Sequence, residues 1–418
     1  MPLAPASTVH VIGAGVAGLS AAVRLVETGA RVILHEAAGQ AGGRCRSYFD
    51  DVLRAEIDNG NHLLLSGNRS AMRYLATIGA ERELHVMATA AIPFVDLATG
   101  ERWTLRPNES HIPWWVFDSS RRVPGTQPQD YLALLPFLWC SSKATITDIV
   151  NSNTTVYARL WQPVLLAALN TDPKEASARL AAAIVRETFL AGGRACHPLI
   201  AREGLSTAFV DPALAYLQAK DGTIHFGHRL RALSFEGERV AALDFGDDNV
   251  KLGSDDAVIL AVPPPVAGAM LPDLKRPTEF RAIVNAHFRV APPAGCPPIT
   301  GVINGLVEWL FAFPDRLSVT ISGADRLLET PRETLAADIW RDVVEVTGVA
   351  DAMPAWQVVR ERRATFAALP AENGKRPTAK TAWHNLALAG DWTATGLPAT
   401  IEGAVRSGNK AADIVIEI

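Results

Sequence analysis

Gly13, Gly15 and Gly18 stand at the spacing that lets a polypeptide grip a pyrophosphate, and an acid follows at Glu36, eighteen residues beyond Gly18. Each position answers a physical need. Gly13 permits the sharp turn out of a strand, Gly15 lets main chain approach the phosphates, and Gly18 lets helix and strand pack closely. Val16 and Ala17 complete the loop and open a helix whose free N–H groups favour anionic oxygens. Glu36 is placed to accept hydrogen bonds from ribose hydroxyls. Such chemistry demands elements in register. Val9–Ile12 is a short apolar, β-branched run, Leu19–Glu27 a helical stretch stopped by Gly29, and Arg31–Glu36 a second strand. A glycine-rich turn in an unrelated α/β protein would not require all of these in order, so the reading is a Rossmann-type dinucleotide unit.

The chain has 418 residues, which favours two or three interleaved compact units over a single core. With 48% hydrophobic and 20% charged residues it reads as globular. A net charge of −4, with both signs mixed, gives no basic stripe for a nucleic-acid partner. Cys45, Cys140, Cys196 and Cys296 lie far apart without a CxxC pair, so neither a metal site nor a disulfide framework is expected. Met1–Thr8 lacks the features of a secretory signal. Apolar runs are broken by Pro136 and by Pro263–Pro265, short of the roughly 20 residues a spanning helix needs. The expected location is the cytoplasm, either in solution or resting on the inner face of the cytoplasmic membrane.

Beyond Glu36, the segment EAAGQAGGRCRS carries Gly42, Gly43 and Arg44 and resembles the FAD family of amine oxidases and phytoene-type desaturases. The resemblance implies that these three residues lie against the FAD diphosphate, where a guanidinium fork suits phosphate. Near the other end, a strand at Leu386–Ala389, then Gly390-Asp391-Trp392, then a helix opening at Ile401-Glu402-Gly403-Ala404 resembles the family's second FAD signature. That implies Gly390 and Asp391 at the ribityl or diphosphate region, and Ile401, Glu402 and Ala404 at the isoalloxazine. Gly60 and Asn61, in Asp58-Asn59-Gly60-Asn61-His62, are implied to run beside the flavin. Ile224–Leu233 and Arg239–Leu243, turning at Gly237, alternate as strands do, and Asp256–Pro263 reads as another strand. There the resemblance implies Leu230 near the adenine and Val262 near the dinucleotide; both read equally well as core residues. Cys45 has no activating neighbour in sequence, so FAD is expected to be held without a covalent bond.

The implied fold is α/β: a Rossmann-type, amine-oxidase-like FAD-binding domain assembled from 1–75, 195–265 and 380–418. Interleaved with it, 76–194 and 266–379 form an α+β substrate domain, expected to be rich in helix and in tryptophan (Trp103, Trp114, Trp115, Trp139, Trp161, Trp309, Trp340).

Two blocks are more specific. Leu160–Thr171 and Asn304–Phe311, together with Asp58–His62 and the closing GDWTATGLPATIEGAVRSG, resemble the hydroxysqualene dehydroxylases, squalene-associated FAD enzymes of hopanoid pathways. The resemblance implies reductive dehydroxylation of hydroxysqualene to squalene, with hydride passing from reduced flavin N5 to an allylic carbon. It makes His62 the candidate proton donor and Trp309 and Asn170 candidate substrate contacts. Asn170 also reads as a plain helix end before Pro173. The implied partner is a long apolar isoprenoid, and with one dinucleotide fingerprint the re-reducing electrons come from outside. Pro113–Phe117 and Leu134–Trp139 could dip into a membrane interface or be buried. Two other readings stay open: a carotenoid-type desaturase or amine oxidase of the same fold, and a non-enzymatic prenyl-lipid carrier resembling the Rab escort proteins.

Overall fold

The computed structural model describes residues 7–350 and 352–417. Residues 1–6, most of the stretch read above for a signal, lie outside the described residues. Apolar β-branched runs form a parallel five-stranded sheet in the spatial order Thr223–His225, Arg31–His35, Thr8–Ile12, Ala257–Leu260, Leu386–Leu388. Its members come from the start, middle and end of the chain. The glycine-loop helix Val16–Glu27 covers the sheet and is itself covered by the C-terminal helix Ile401–Ile416, so it is buried on nearly every face. The two helices touch backbone to backbone. A Cβ on Gly408 would come 2.1 Å from both the Ala17 carbonyl oxygen and Ser20 Oγ.

A second, seven-stranded sheet runs Trp356–Phe366, Phe280–Phe288, Arg316–Ile321, Trp309–Phe313, Ile299–Ile303, Ile92–Asp96, Arg102–Leu105. One face packs Val284, Ala286, Leu310, Val319 and Ile321 against the helix Arg332–Thr347. The segment 266–379, expected to be rich in helix, therefore contributes mainly strands. Strands buried on both faces lose their polar alternation, and a continuous apolar run is then ambiguous between helix and strand. Ile224–Leu233 also differs from expectation. It splits at Gly227 into a parallel strand, a loop carrying Leu230, and Ala232–Glu236, which forms a hairpin with Arg239–Asp244 about Gly237. No helix among the described residues is long and apolar enough to cross a membrane.

A file of histidines crosses the parallel sheet. His10 Nδ1 and His35 Nε2 share a hydrogen bond of 3.1 Å, and His35 Nδ1 and His228 Nδ1 one of 2.8 Å. Phe245 stacks on His228 at 3.8 Å. Burial, with neighbouring His10 and His228 behind it, lowers the His35 pKa from 6.5 to about 3. Between those values the unfolded chain binds the proton that the folded chain refuses, so stability is present above pH 6.5 and is lost as pH falls through this window.

Two outcomes follow from this packing. Gly408→Ala should lower the melting temperature, at a cost of roughly 1–3 kcal/mol for an overpacked contact. Stability by urea titration should fall by at most about 1.4 kcal/mol per pH unit below 6.5 for His35 alone, and His35→Gln should flatten that slope.

Candidate active site

The glycine loop leaves the carboxyl end of the central parallel strand Thr8–Ile12, the end at which Rossmann folds bind dinucleotides. Gly13 leaves the first strand with φ 104° and its N–H donates to the His35 carbonyl at 2.7 Å. A Cβ on Gly18 would lie 1.9 Å from the Gly13 oxygen, so only glycine closes the loop against its helix. Gly15 caps that helix without any side-chain hydrogen bond, and space is open where its Cβ would be. The first-turn N–H groups around Val16 and Ala17 thus have no side-chain cap and open space beside Gly15, a setting that favours anionic oxygens. Gly42 N–H donates to the Ala14 carbonyl at 2.8 Å, and Gly43 would carry a Cβ 3.5 Å from Gly15 Cα, so the two glycine runs form opposite walls.

Glu36 ends the second strand with Oε2 accepting from Ala14 N–H and Oε1 from Ala38 N–H, both at 2.8 Å. That fixes the carboxylate while leaving each oxygen a second lone pair for a ribose hydroxyl. His228 N–H donates to the Glu36 carbonyl at 2.8 Å, which brings the loop bearing buried Leu230 to the same edge. Val262, half-buried beyond the strand Ala257–Leu260, accepts the Trp392 indole N–H at 3.0 Å. Trp392 is thereby held in the core, 2% exposed.

The two ends of the chain meet at Arg44. Its guanidinium donates to Asp391 Oδ1 at 2.8 Å and to the Ala364 carbonyl at 2.6 Å. Arg44 and Asp391 are therefore a pair, with the arginine partly open to the cleft and the carboxylate nearly buried. Gly390, at φ 146°, leaves no room for a side chain against the Trp392 ring. Arg376, which carries no motif signal in the sequence, lies under this turn and donates to the carbonyls of Asp391, Trp392 and Thr393. Burial pulls its pKa down to about 10. At the final helix Thr400 Oγ1 accepts Gly403 N–H at 3.0 Å and Ala404 N–H reaches the Thr400 carbonyl, leaving Ile401 and Glu402 N–H without intrahelical partners. The Glu402 carboxylate points elsewhere. It accepts Ser70 and Ala71 N–H at the start of the helix Arg69–Thr77 and pairs with Arg406, so only its main chain remains for a cofactor.

The second sheet forms a floor beneath the Asp58–His62 segment. Asn285, Thr320 and Trp309 are direct cross-strand neighbours in one row. Asn61 Nδ2 donates to Thr320 Oγ1 at 3.2 Å, its N–H reaches Asn285 Oδ1 at 3.4 Å, and a Cβ on Gly60 would lie 3.1 Å from Asn285 Nδ2. Asn61 Oδ1 and Trp309 Nε1 are buried without hydrogen-bond partners among the described residues, an acceptor and a donor that a ligand can satisfy. Asn285 and Thr320 were invisible in the sequence, because only strand register brings them under Asn61.

His62 is partly open to the cleft yet enclosed by protein, and that burial, with the Arg44 charge second, lowers its pKa to about 4. At neutral pH it is an uncharged imidazole. Glu308, next to Trp309 and accepting Ser322 N–H at 2.8 Å, is raised by burial to about 7. Asn170 takes a left-handed backbone, accepts Gly323 N–H, and donates to the Arg281 carbonyl and Thr365 Oγ1, so its amide is engaged in joining a helix end to the sheet. The Cys45 thiol is buried, and desolvation pushes its pKa up to about 12, away from the thiolate a covalent flavin bond would need.

The uncapped helix end, the open space at Gly15, the fixed Glu36 carboxylate and the orphan Asn61 oxygen fit FAD, and together with the C-terminal motif they define a flavoprotein oxidoreductase. Residues 16–416 match the family described as flavin containing amine oxidoreductase. The hydroxysqualene dehydroxylase of Rhodopseudomonas palustris is 59% identical over 98% of both chains. That of Zymomonas mobilis is 48% identical over 98% of this chain and 99% of its own. Among solved structures, cyclohexylamine oxidase from Brevibacterium oxydans shares the fold, with a TM-score of 0.73, 17% identity and 99% of each chain covered. The chain belongs to the flavin containing amine oxidoreductase family and, within it, to the hydroxysqualene dehydroxylases.

Arg44→Gln should leave the Asp391 carboxylate unpaired and weaken FAD binding about tenfold, a loss within the range of one charge-assisted hydrogen bond. Flavin fluorescence titration of the apoprotein measures it.

Proposed function

We propose that this protein is an FAD-dependent oxidoreductase that removes the hydroxyl group of hydroxysqualene to give squalene, within squalene and hopanoid biosynthesis. The full-length likeness to hydroxysqualene dehydroxylases carries the reading. Bound FAD in its reduced form supplies the hydride. The balance is simple: hydride and one proton enter, the C–O bond breaks, and water leaves with squalene.

The chain's own residues bind, orient and exclude water. The glycine loop, Glu36, Gly42–Arg44, Leu230, Val262, Gly390–Asp391 and the helix start at Ile401–Ala404 hold the dinucleotide. Gly60, Asn61 and the row beneath them support its reactive end. Trp309, with an indole N–H free of partners among the described residues, is suited to a hydroxyl oxygen. The dense aromatic interior around Trp103, Trp161 and Trp309 keeps water from an allylic cation.

Two groups compete for the proton. His62 belongs to the segment beside the cofactor, and Glu308 holds a carboxyl poised near neutrality. A poised acid suits proton transfer to a leaving hydroxyl. An apolar substrate further favours peripheral contact with a membrane, and an external donor returns FAD to its reduced form.

The test is anaerobic single turnover: chemically reduced enzyme plus hydroxysqualene, with flavin reoxidation and squalene followed together. Matched reoxidation and squalene are expected; persistently reduced flavin without squalene would remove this substrate. If Glu308 donates, the rate should fall as pH rises through about 7, and Glu308→Gln should slow it by about a hundredfold. If His62 donates as imidazolium, the fall comes near pH 4 and His62→Gln carries the loss.

A further inference from the structure

The two clusters rich in tryptophan resolve into short helical segments, Trp114–Phe117 and Pro128–Trp139, that are apolar on both sides. Inward, Trp115, Val116, Tyr131, Leu134 and Phe137 enter the core, and the Trp115 and Tyr131 rings meet edge-on at 5.0 Å. Outward, Phe117 is 75% exposed and Trp139 77%, with Trp114, Leu132, Leu135 and Leu138 also facing solvent. Ile112 and Leu190 extend this surface, so more than half of the large exposed apolar residues among the described residues belong to one region. Scattered exposed apolar residues need no explanation, but a concentration on segments already packed from behind marks a face that something covers.

The surroundings identify the cover. Beside Ile112 and Leu190 lies a cleft of about 420 Å³ whose lining includes Arg69, Arg194, His111 and Ser110, with the single carboxylate of Glu109. Neither arginine has a salt-bridge partner among the described residues. Arg121 lies over the Trp114 ring at 4.6 Å, and Lys143 follows the second segment in an exposed position. The acids nearby, Glu109, Asp118 and Asp130, accept hydrogen bonds from His197, Ser120 and the Gln127 N–H but keep their charge, and Arg69, Arg106, Arg121, Arg122, Lys143 and Arg194 outnumber them. An apolar, tryptophan-bearing face rimmed by an excess of cations suits an anionic bilayer surface. A second copy of this chain would bring the same cations face to face.

We infer that the face formed by Ile112–Phe117, Leu132–Trp139 and Leu190 docks on an anionic lipid bilayer, with the Arg69–Arg194 cleft receiving lipid phosphate. The inference identifies the membrane-facing surface of the enzyme proposed above, and its purpose rests on that reading: a substrate that dissolves in a bilayer is collected where it resides.

Full-length, FAD-loaded protein is mixed with sucrose-loaded vesicles of phosphatidylcholine alone or with phosphatidylglycerol added, and sedimented. Wild type should sediment with the mixed vesicles, less with phosphatidylcholine alone, and less as salt rises. Phe117→Glu with Trp139→Glu should weaken binding by at least about tenfold, with melting temperature and FAD content retained because both side chains project into solvent. Arg69→Gln and Arg194→Gln should each cost about fivefold. Wild type left in the supernatant with anionic vesicles, or the double glutamate variant binding as wild type, overturns the inference. So does a wild-type dimer that the double variant converts to monomer, since the face would then be a self-interface. Hydroxysqualene turnover in detergent micelles is measured alongside. Its absence with vesicle binding intact sinks the proposed reaction and leaves the docking face standing.

Discussion

Backbone approaching backbone at van der Waals range is the constraint on which the cofactor cleft depends. Gly18 lets the first helix close on its own loop, and Gly408 lets the last helix lie against the first. With a Cβ at either position the helices would separate, and the last helix would no longer aim its start at the cleft. The parallel sheet repeats the arrangement, since its strands come from the beginning, middle and end of the chain. The dinucleotide site is thus a junction between distant segments, stable only when the whole chain has folded.

Electrostatics follow from that junction. Arg44 and Asp391 approach from opposite ends of the sequence and neutralise each other at the cleft wall, while buried Arg376 locks the turn behind Asp391 through carbonyls. Desolvation moves three buried ionisable groups toward their neutral forms: His62 to an uncharged imidazole, Glu308 to a carboxyl raised to about 7, and Cys45 to a thiol.

The second sheet is built differently. It gives one face to the helix Arg332–Thr347 and the other to the row Asn285, Thr320 and Trp309 under the Asp58–His62 segment. Rigid cross-strand pairing, not a loop, sets the height of this floor. Asn61 Oδ1 and Trp309 Nε1 are among the buried polar atoms left without hydrogen-bond partners within the described residues.

The glycine loop, its helix, the two flanking strands, Glu36 and the C-terminal Gly390-Asp391 motif were legible from residues alone, because backbone freedom and helix capping are local properties carried by residue type. The likeness in Leu160–Thr171 and Asn304–Phe311 was legible too. Hydrophobic pattern could not separate strand from helix in 266–379, since burial on both faces erases periodicity. Nor could it separate a core tryptophan such as Trp115 from an exposed one such as Trp114, one residue apart. Chain folding alone decided that Glu402 faces the helix at Arg69, that Asn170 braces a helix end, that Arg44 finds Asp391, and that Glu308 titrates near neutrality. Each of these depends on which distant atoms arrive within a few ångströms, and on the solvent they displace. Residue type and spacing do not encode that information locally.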